Sequence, residues 1–332
     1  MLKKILFCVF VLVTISSLTA GGKSESSDSG ILLKLGITKT NQDPQFIWYS
    51  RWAEDVGKAT NGYLKVQVYP AESLGKAPDV LEMAFRGEAV IADTDFAYLS
   101  TYVPDLSVVM APYLIRNADD LFNIWNSQEL QERLGKLEER GLKVFTMNYE
   151  YPRMLWTKMP IRSRADVAGL KIRTAPSPMW NLVVRTLGGN PTNIAQSETY
   201  SALQQGVADG AEMIPSVVFS WKWYEVLKHA TRTDHVIANN LFALSSKIYR
   251  DLPDNVRKAF DEVNAKYMRE YYELSDAMQE EHIEKLKALG VTFSDIDMTE
   301  FYNAAMDVPS HFPEWTPGIY QRLRAILDAA KK

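Results

Sequence analysis

Residues Gly169–Met213 read GLKIRTAPSPMWNLVVRTLGGNPTNIAQSETYSALQQGVADGAEM, and this stretch decides the fold. Leu170–Thr174 reads as a short strand. Ser177-Pro178 reads as a helix start, a hydroxyl side chain that can accept from a free backbone N–H followed by proline at the first helical position. Gly188-Gly189 supplies the stop, Asn193–Ala195 reads as another strand, and Ser197 caps a further helix that Gly206 ends. Strands alternating with helices are the grammar of an α/β sheet. One permanent cation, Arg173, sits at the end of the first of these strands. Open α/β sheets take ligands at the carboxyl ends of their strands. A planar guanidinium also offers parallel N–H donors matched to both oxygens of a carboxylate. The plain alternative is an arginine that ties two domains through an internal acid.

The same grammar extends in both directions. Toward the N-terminus, Leu32–Thr38 predicts a strand, Asp43–Thr60 a helix with Asp43 as cap and Pro44 at its first position, and Tyr63–Tyr69 a strand with period-two alternation. Pro78–Gly87 predicts a second helix, Ala89–Asp95 a buried strand, Ala118–Arg140 one long amphipathic helix and Leu142–Asn148 another strand. A short helix capped by Ser163 and ending at Gly169 leads back into the opening stretch. Two α/β units in series, each built on a mainly parallel sheet covered on both faces, are the expected architecture. Toward the C-terminus, Asp254–Leu289 is rich in Glu, Lys, Ala and Leu and has no internal Gly or Pro. At 1.5 Å per residue it would form a helix of roughly 50 Å, long enough to brace both units.

The N-terminus reads as an export address. Lys3 and Lys4 precede an apolar run from Ile5 to Ile15 broken only by Thr14, and small residues Ser16, Ser17, Ala20, Gly21 and Gly22 follow. The run is shorter than the roughly 20 residues that span a bilayer, so residues 1–22 are expected to be a cleaved signal peptide. Leu18-Thr19-Ala20 resembles a lipoprotein signal, but Gly21 stands where the acylated cysteine would be, so no lipid is expected. Lys23–Gly30 is a polar tether expected to be disordered, with folded structure starting near Ile31. The one cysteine, Cys8, falls inside the signal, which leaves the mature chain without disulfides or thiolate metal sites.

Composition and missing motifs narrow the function. The chain has 332 residues, a net charge of −4 and a pI near 5.7, enough for two domains and too acidic for a nucleic-acid surface or a polybasic membrane patch. His229, His235, His282 and His311 form no paired metal-ligand spacing. Neither G-x-S-x-G nor G-x-G-x-x-G occurs, and Gly22-Lys23-Ser24 only mimics the end of a phosphate loop. No cofactor, no metal and no nucleophile–base pair is indicated, so binding is favoured over enzymatic use of a cleft.

The Gly169–Met213 block resembles the substrate-binding proteins of TRAP (tripartite ATP-independent periplasmic) transporters. YPAESLG at Tyr69–Gly75, MAPYLI at Met110–Ile115 and Trp223-Tyr224-Glu225-Val226 support the resemblance, which runs from about Leu33 to Gly290. It implies an α/β fold of the periplasmic-binding-protein type (type II), with two domains around a cleft, two crossing strands and a long domain-spanning helix. Carried over, the first domain takes residues 31–150 and 239–278, the second 151–238 and 279–332 with the C-terminal helices, and the crossings lie near Glu150 and Asn239. The implied function is a periplasmic receptor that closes on a small-molecule carboxylate and hands it to TRAP membrane permease subunits. A sensor or scaffold of the same fold, working with a periplasmic helical-repeat (TPR) partner, is the alternative.

The resemblance also assigns site residues. Arg173 becomes a bidentate carboxylate clamp, and Arg153, in Tyr151-Pro152-Arg153, matches a second arginine that faces the ligand in several relatives. Glu212 matches an acidic family position, and Met213 replaces an asparagine that contacts the ligand in many relatives. Thr38, Thr94 and Asp95 fall at strand ends facing the cleft. Gln196 replaces a frequent aromatic, while Trp180 and Trp221 are candidates for its far end. With Met213, Gln196 and these tryptophans in the cleft, the expected ligand is a monocarboxylate with an apolar body, ahead of a sugar acid or a C4-dicarboxylate.

Overall fold

The computed structural model describes residues 30–330. The expected signal peptide at 1–22 and the expected tether, except for Gly30, lie outside the described residues. The strands are β1 (Ile31–Gly36), β2 (Leu64–Tyr69), β3 (Val90–Thr94), β4 (Leu142–Pro152), β5 (Met154–Thr157), β6 (Lys171–Thr174), β7 (Asn190–Asn193), β8 (Gly210–Met213), β9 (His229–Thr231), β10 (Ile237–Ser245) and β11 (Thr292–Ser294). They form a five-stranded sheet in the order β2-β1-β3-β10-β4 and a six-stranded sheet in the order β11-β9-β5-β8-β6-β7.

Each sheet is parallel except for one strand. β10 runs against both β3 and β4, and β5 runs against both β8 and β9. These are the strands entered when the chain passes between lobes: β4 leads across Arg153 into β5, and β9 leads back into β10. The backbone N–H of Arg153 donates to the Val236 carbonyl at 2.9 Å, which ties the two crossings together. β5 and β8 approach so closely that a Cβ at Gly210 would stand 2.5 Å from the Trp156 carbonyl oxygen, so glycine is required there.

Local signals in the sequence explain several helix ends. Asp43 accepts from the Gln45 N–H and caps Pro44–Ala59, and Ser177 accepts from the Trp180 N–H and caps Pro178–Leu187. Gly188, at φ 98°, terminates the latter in the left-handed region that glycine enters without strain. The single helix expected over 118–140 is two, Ala118–Trp125 and Gln128–Arg140. Ser127 accepts from the Leu130 N–H and starts the second of them, so a residue read as helix interior is a cap.

The helix Asp254–Ala288 has 35 residues and is continuous. Its buried stripe recurs at steps of three and four, as a helix with one face inward requires. Phe260, Tyr267 and Tyr271 enter the first lobe's core beside Trp48, Tyr49 and Trp52. Ile283 and Leu286 enter the second lobe's core beside Trp156, Val217 and Trp223.

The C-terminal segment corrects the expected division, which placed 279–332 with the second domain. The helix Ile319–Ala329 packs on Ala118–Trp125 and on the turn Pro104–Met110 of the first lobe. Trp315 donates its indole N–H to Ser107 at 2.9 Å, Thr316 binds Asp105 at 2.7 Å, and Arg322 pairs with Glu129 at 2.9 Å. These partners all belong to the first lobe, so the chain returns to it beyond Thr299–Ala305, a helix that still packs on Pro178–Leu187 of the second lobe.

Candidate ligand-binding cleft

Strand ends from both lobes converge on a cleft of about 830 Å³, the solvent at its mouth included. The first lobe contributes Thr38 and Lys39 just after β1 and Asp93, Thr94 and Asp95 at the end of β3. The crossing strands contribute Glu150, Arg153, Asn239 and Asn240, and the second lobe contributes Arg173, Trp180, Gln196 and Met213.

Arg153 and Arg173 are both buried yet differ in their partners. Arg153 donates Nε–H to a Glu212 carboxylate oxygen and Nη2–H to the Glu212 carbonyl at 3.0 Å, and its guanidinium lies 4.4 Å from the Trp180 ring centre. Glu212 also accepts from the Thr174 hydroxyl at 2.8 Å, and the buried His235 ring lies 3.6 Å away. Burial alone would raise the Glu212 pKa, but Arg153 and the surrounding donors bring it down to about 2. Burial pushes His235 below its usual value, against the pull of Glu212.

Arg173 is 2 % exposed and has no carboxylate partner within salt-bridge distance among the described residues. Its Nε–H donates to the Ile194 carbonyl at 3.0 Å and its guanidinium lies 5.4 Å from the Trp223 ring centre, while Nη1 has no partner. Burial disfavours its charged form, and Glu212 and Tyr98 oppose that effect from a distance.

Opposite these arginines lies a buried polar cluster. Lys39 pairs with Glu150 at 2.8 Å, and its pKa is raised even though burial pulls it down, because Glu150, Asp93 and Asp43 surround it. Asp93 accepts from the Thr38 N–H at 3.0 Å and from the Asn240 side chain. Burial pushes both Asp43 and Asp93 up to about 6 against the pull of Lys39.

The two lobes touch directly across the cleft. Gln196 and Trp221 both donate to the Thr38 carbonyl, at 3.0 and 3.2 Å. Trp180 donates its indole N–H to Asp95 at 3.0 Å, and Asp95 in turn accepts from the Tyr98 N–H. At the mouth, Lys76 pairs with Glu198 at 2.6 Å and Ser197 donates to Glu72. Ser197 therefore bridges the lobes instead of capping the helix Thr199–Gln204.

Of the residues singled out in the sequence, Thr38, Thr94, Asp95, Arg153, Arg173, Trp180, Gln196 and Met213 line the cleft. Glu212 lies behind it, holding Arg153, and Trp221 lies outside its lining with its indole N–H on Thr38. The end of the cleft at Trp180 is more polar than expected. The Trp180 indole N–H is held by Asp95, Arg153 covers its ring, and the opposite wall is Lys39, Asp93, Glu150, Asn239 and Asn240. Sequence reading missed that wall, although Asn239-Asn240 was a usable signal: two adjacent amides inside the otherwise apolar run IANNLFAL. Among the described residues no group of three or more His, Cys, Asp or Glu side chains is placed to hold a metal.

Two sheets joined by crossing strands, with an uncompensated buried cation at a strand end in the cleft between them, define a two-lobed solute receptor. The chain belongs to the bacterial extracellular solute-binding proteins, family 7 (DctP), which match residues 35–312. It is similar to the C4-dicarboxylate-binding periplasmic protein DctP of Vibrio cholerae, 27 % identical over 76 % of this chain and 77 % of that protein. It is also similar to two solved TRAP periplasmic solute-binding proteins. One, from Fusobacterium nucleatum with bound sn-glycerol 3-phosphate, has a TM-score of 0.88 and 27 % identity over 91 % of this chain and 98 % of that one. The other, from Ochrobacterium anthropi with bound L-fuconate, has a TM-score of 0.86 and 30 % identity over 90 % and 99 %. The family is periplasmic, works with TRAP permeases and is non-enzymatic. No helix among the described residues is long and apolar enough to cross a membrane.

Proposed function

We propose that this chain is exported by its N-terminal signal, captures an organic acid between its lobes with Arg173 as the carboxylate clamp, and delivers it to a TRAP membrane permease. One observation carries the clamp. The buried cations of the described residues are Lys39, Arg133, Arg153 and Arg173. Lys39 pairs with Glu150, Arg133 with Asp105 and Glu129, and Arg153 with Glu212. Arg173 alone among them has no acid. An unpaired buried charge is costly, and a carboxylate ligand would remove that cost while satisfying Nη1. The relatives' ligands support an anion, and they include both carboxylates and a phosphate ester. Calorimetry on the purified chain with L-fuconate, succinate and sn-glycerol 3-phosphate separates these. Binding of a carboxylate supports the reading. Binding of the phosphate ester alone would keep an anion receptor but overturn the carboxylate assignment.

A further inference from the structure

The charges lining the cleft are unevenly available. Lys39, Lys76, Arg153 and Arg173 face Glu72, Asp79, Asp93, Asp95 and Glu150. Lys39 and Arg153 are already occupied by the buried acids Glu150 and Glu212, and Lys76 lies at the exposed mouth on Glu198, so Arg173 is left as the free buried cation of the lining among the described residues. A ligand with two carboxylates would find a counter-charge for one of them.

The crossing strands supply acceptors in the same cleft. Asn240 gives its Nδ2–H to the carboxylate of Asp93, an acceptor-only group, which fixes the orientation of its amide. Its Oδ1 is buried without a partner. Asn239 gives its Nδ2–H to the Ile237 carbonyl at 3.3 Å, and its Oδ1 is likewise buried without a partner. The Thr94 hydroxyl is also unpaired. Amide oxygens accept and cannot donate, so they need O–H or N–H groups opposite them, and a ligand carboxylate would set acceptor against acceptor.

Resting on the organic-acid reading above, we propose that Asn239 and Asn240 make this receptor selective for acids that carry a single carboxylate and hydrogen-bond donors at the far end, and that they reject diacids. The ligand's acid end meets Arg173, and its donors satisfy the two amide oxygens. Arg153, whose charge in the cleft would otherwise favour a diacid, is neutralised by Glu212.

Matched pairs of acids test this on the intact mature chain by calorimetry. Galactonate and galactarate differ at one terminal carbon, hydroxymethyl in the first and carboxylate in the second; threonate and tartrate repeat the comparison at four carbons. Hexanoate supplies a carboxylate with no donors. The hydroxymethyl member of at least one pair should bind about tenfold or more tighter than its diacid and than hexanoate. Asn239→Leu should narrow the ratio between that acid and hexanoate by about tenfold, a change that a general loss of stability would not produce. A diacid that binds as tightly as its partner would overturn the selectivity and leave the receptor reading standing. Hexanoate binding as tightly as the hydroxylated acids would overturn the need for donors. If none of the five binds, the selectivity proposal fails, and the organic-acid reading is decided separately by the L-fuconate and succinate titrations. The wild-type comparison stands alone should Asn239→Leu not fold.

Discussion

Arg153 and Arg173 stand twenty residues apart and are both buried in one lobe, yet the protein treats them in opposite ways. Around Arg153 every charge is answered: Glu212 takes the guanidinium, Thr174 takes the other carboxylate oxygen, and Trp180 covers the face. Arg173 keeps an open N–H and no acid. A charge whose partner comes from the same chain serves architecture, whereas one whose partner is missing marks where something else must come. The two arginines look alike in sequence and differ only in the acid that the fold delivers to one of them.

The sharpest way to break the comparison is to strand Arg153. Glu212→Ala leaves a buried guanidinium unpaired and should destabilise the fold by about 3–5 kcal/mol in denaturant titration. A loss under about 1 kcal/mol would show that the pair is not structural. Arg173→Ala should do the reverse. Ligand affinity should fall by about 2–5 kcal/mol, roughly thirty-fold to a few thousand-fold, with ligand-free stability unchanged or higher because a costly buried charge is gone. Binding within threefold of wild type would remove Arg173 from the clamp.

A third test concerns the acids opposite. Asp43 and Asp93 share the ammonium of Lys39 with Glu150, take hydrogen bonds from the Gln45 and Thr38 N–H groups, Ser220 and Asn240, and lie near the Tyr49 and Tyr271 hydroxyls. Both are pushed up to about 6 from an ordinary value near 4, so between those pH values the folded state holds more protons than the unfolded one. Their contribution is therefore full below about pH 4 and is lost as pH rises through about 6, on the order of 3 kcal/mol for each group. Glu212 has the opposite sign, stabilising above about 4.5 and losing that as pH falls toward 2. Between pH 4.5 and 7 the raised Asp95 and Asp234 act with the same sign, whereas burial lowers His235 and His282 and gives them the opposite sign, so the two aspartates are read from their variants. Asp43→Asn, which keeps the helix cap, and Asp93→Asn should each gain stability relative to wild type as pH rises across that window; a difference from wild type that does not change with pH in either would assign the titration elsewhere. The smallest effect belongs to the exposed mouth. Lys76→Ala should leave the unfolding midpoint unchanged, since exposed pairs contribute little, and a clear drop would mean the mouth holds the lobes together.

What the sequence revealed follows from the range of each interaction. Asp43-Pro44, Ser177-Pro178 and Gly188 are local signals, and the helices they bound form where those signals stand. Ser127 misled because the amphipathic stripe continues across it, and a cap inside a continuous stripe looks like any polar face residue. The destination of the last helix was out of reach, since it depends on Trp315 meeting Ser107 and Arg322 meeting Glu129, residues separated by 208 and 193 positions. The site divides in the same way. Arg173 was legible as a cation at a strand end. The Lys39–Glu150 pair was not, because nothing near Lys39 in Thr38-Lys39-Thr40-Asn41 signals an acid arriving from β4.

The passage of the chain between lobes also sets the order in which the molecule can be finished. The first lobe's sheet lacks one of its interior strands until residues 237–245 exist, and its outer layer waits for Ile319–Ala329. The second lobe, by contrast, has five of its six strands in hand by Thr231. The half made first is thus completed last. This arrangement postpones compaction of the leading half until strands far along the chain have been made.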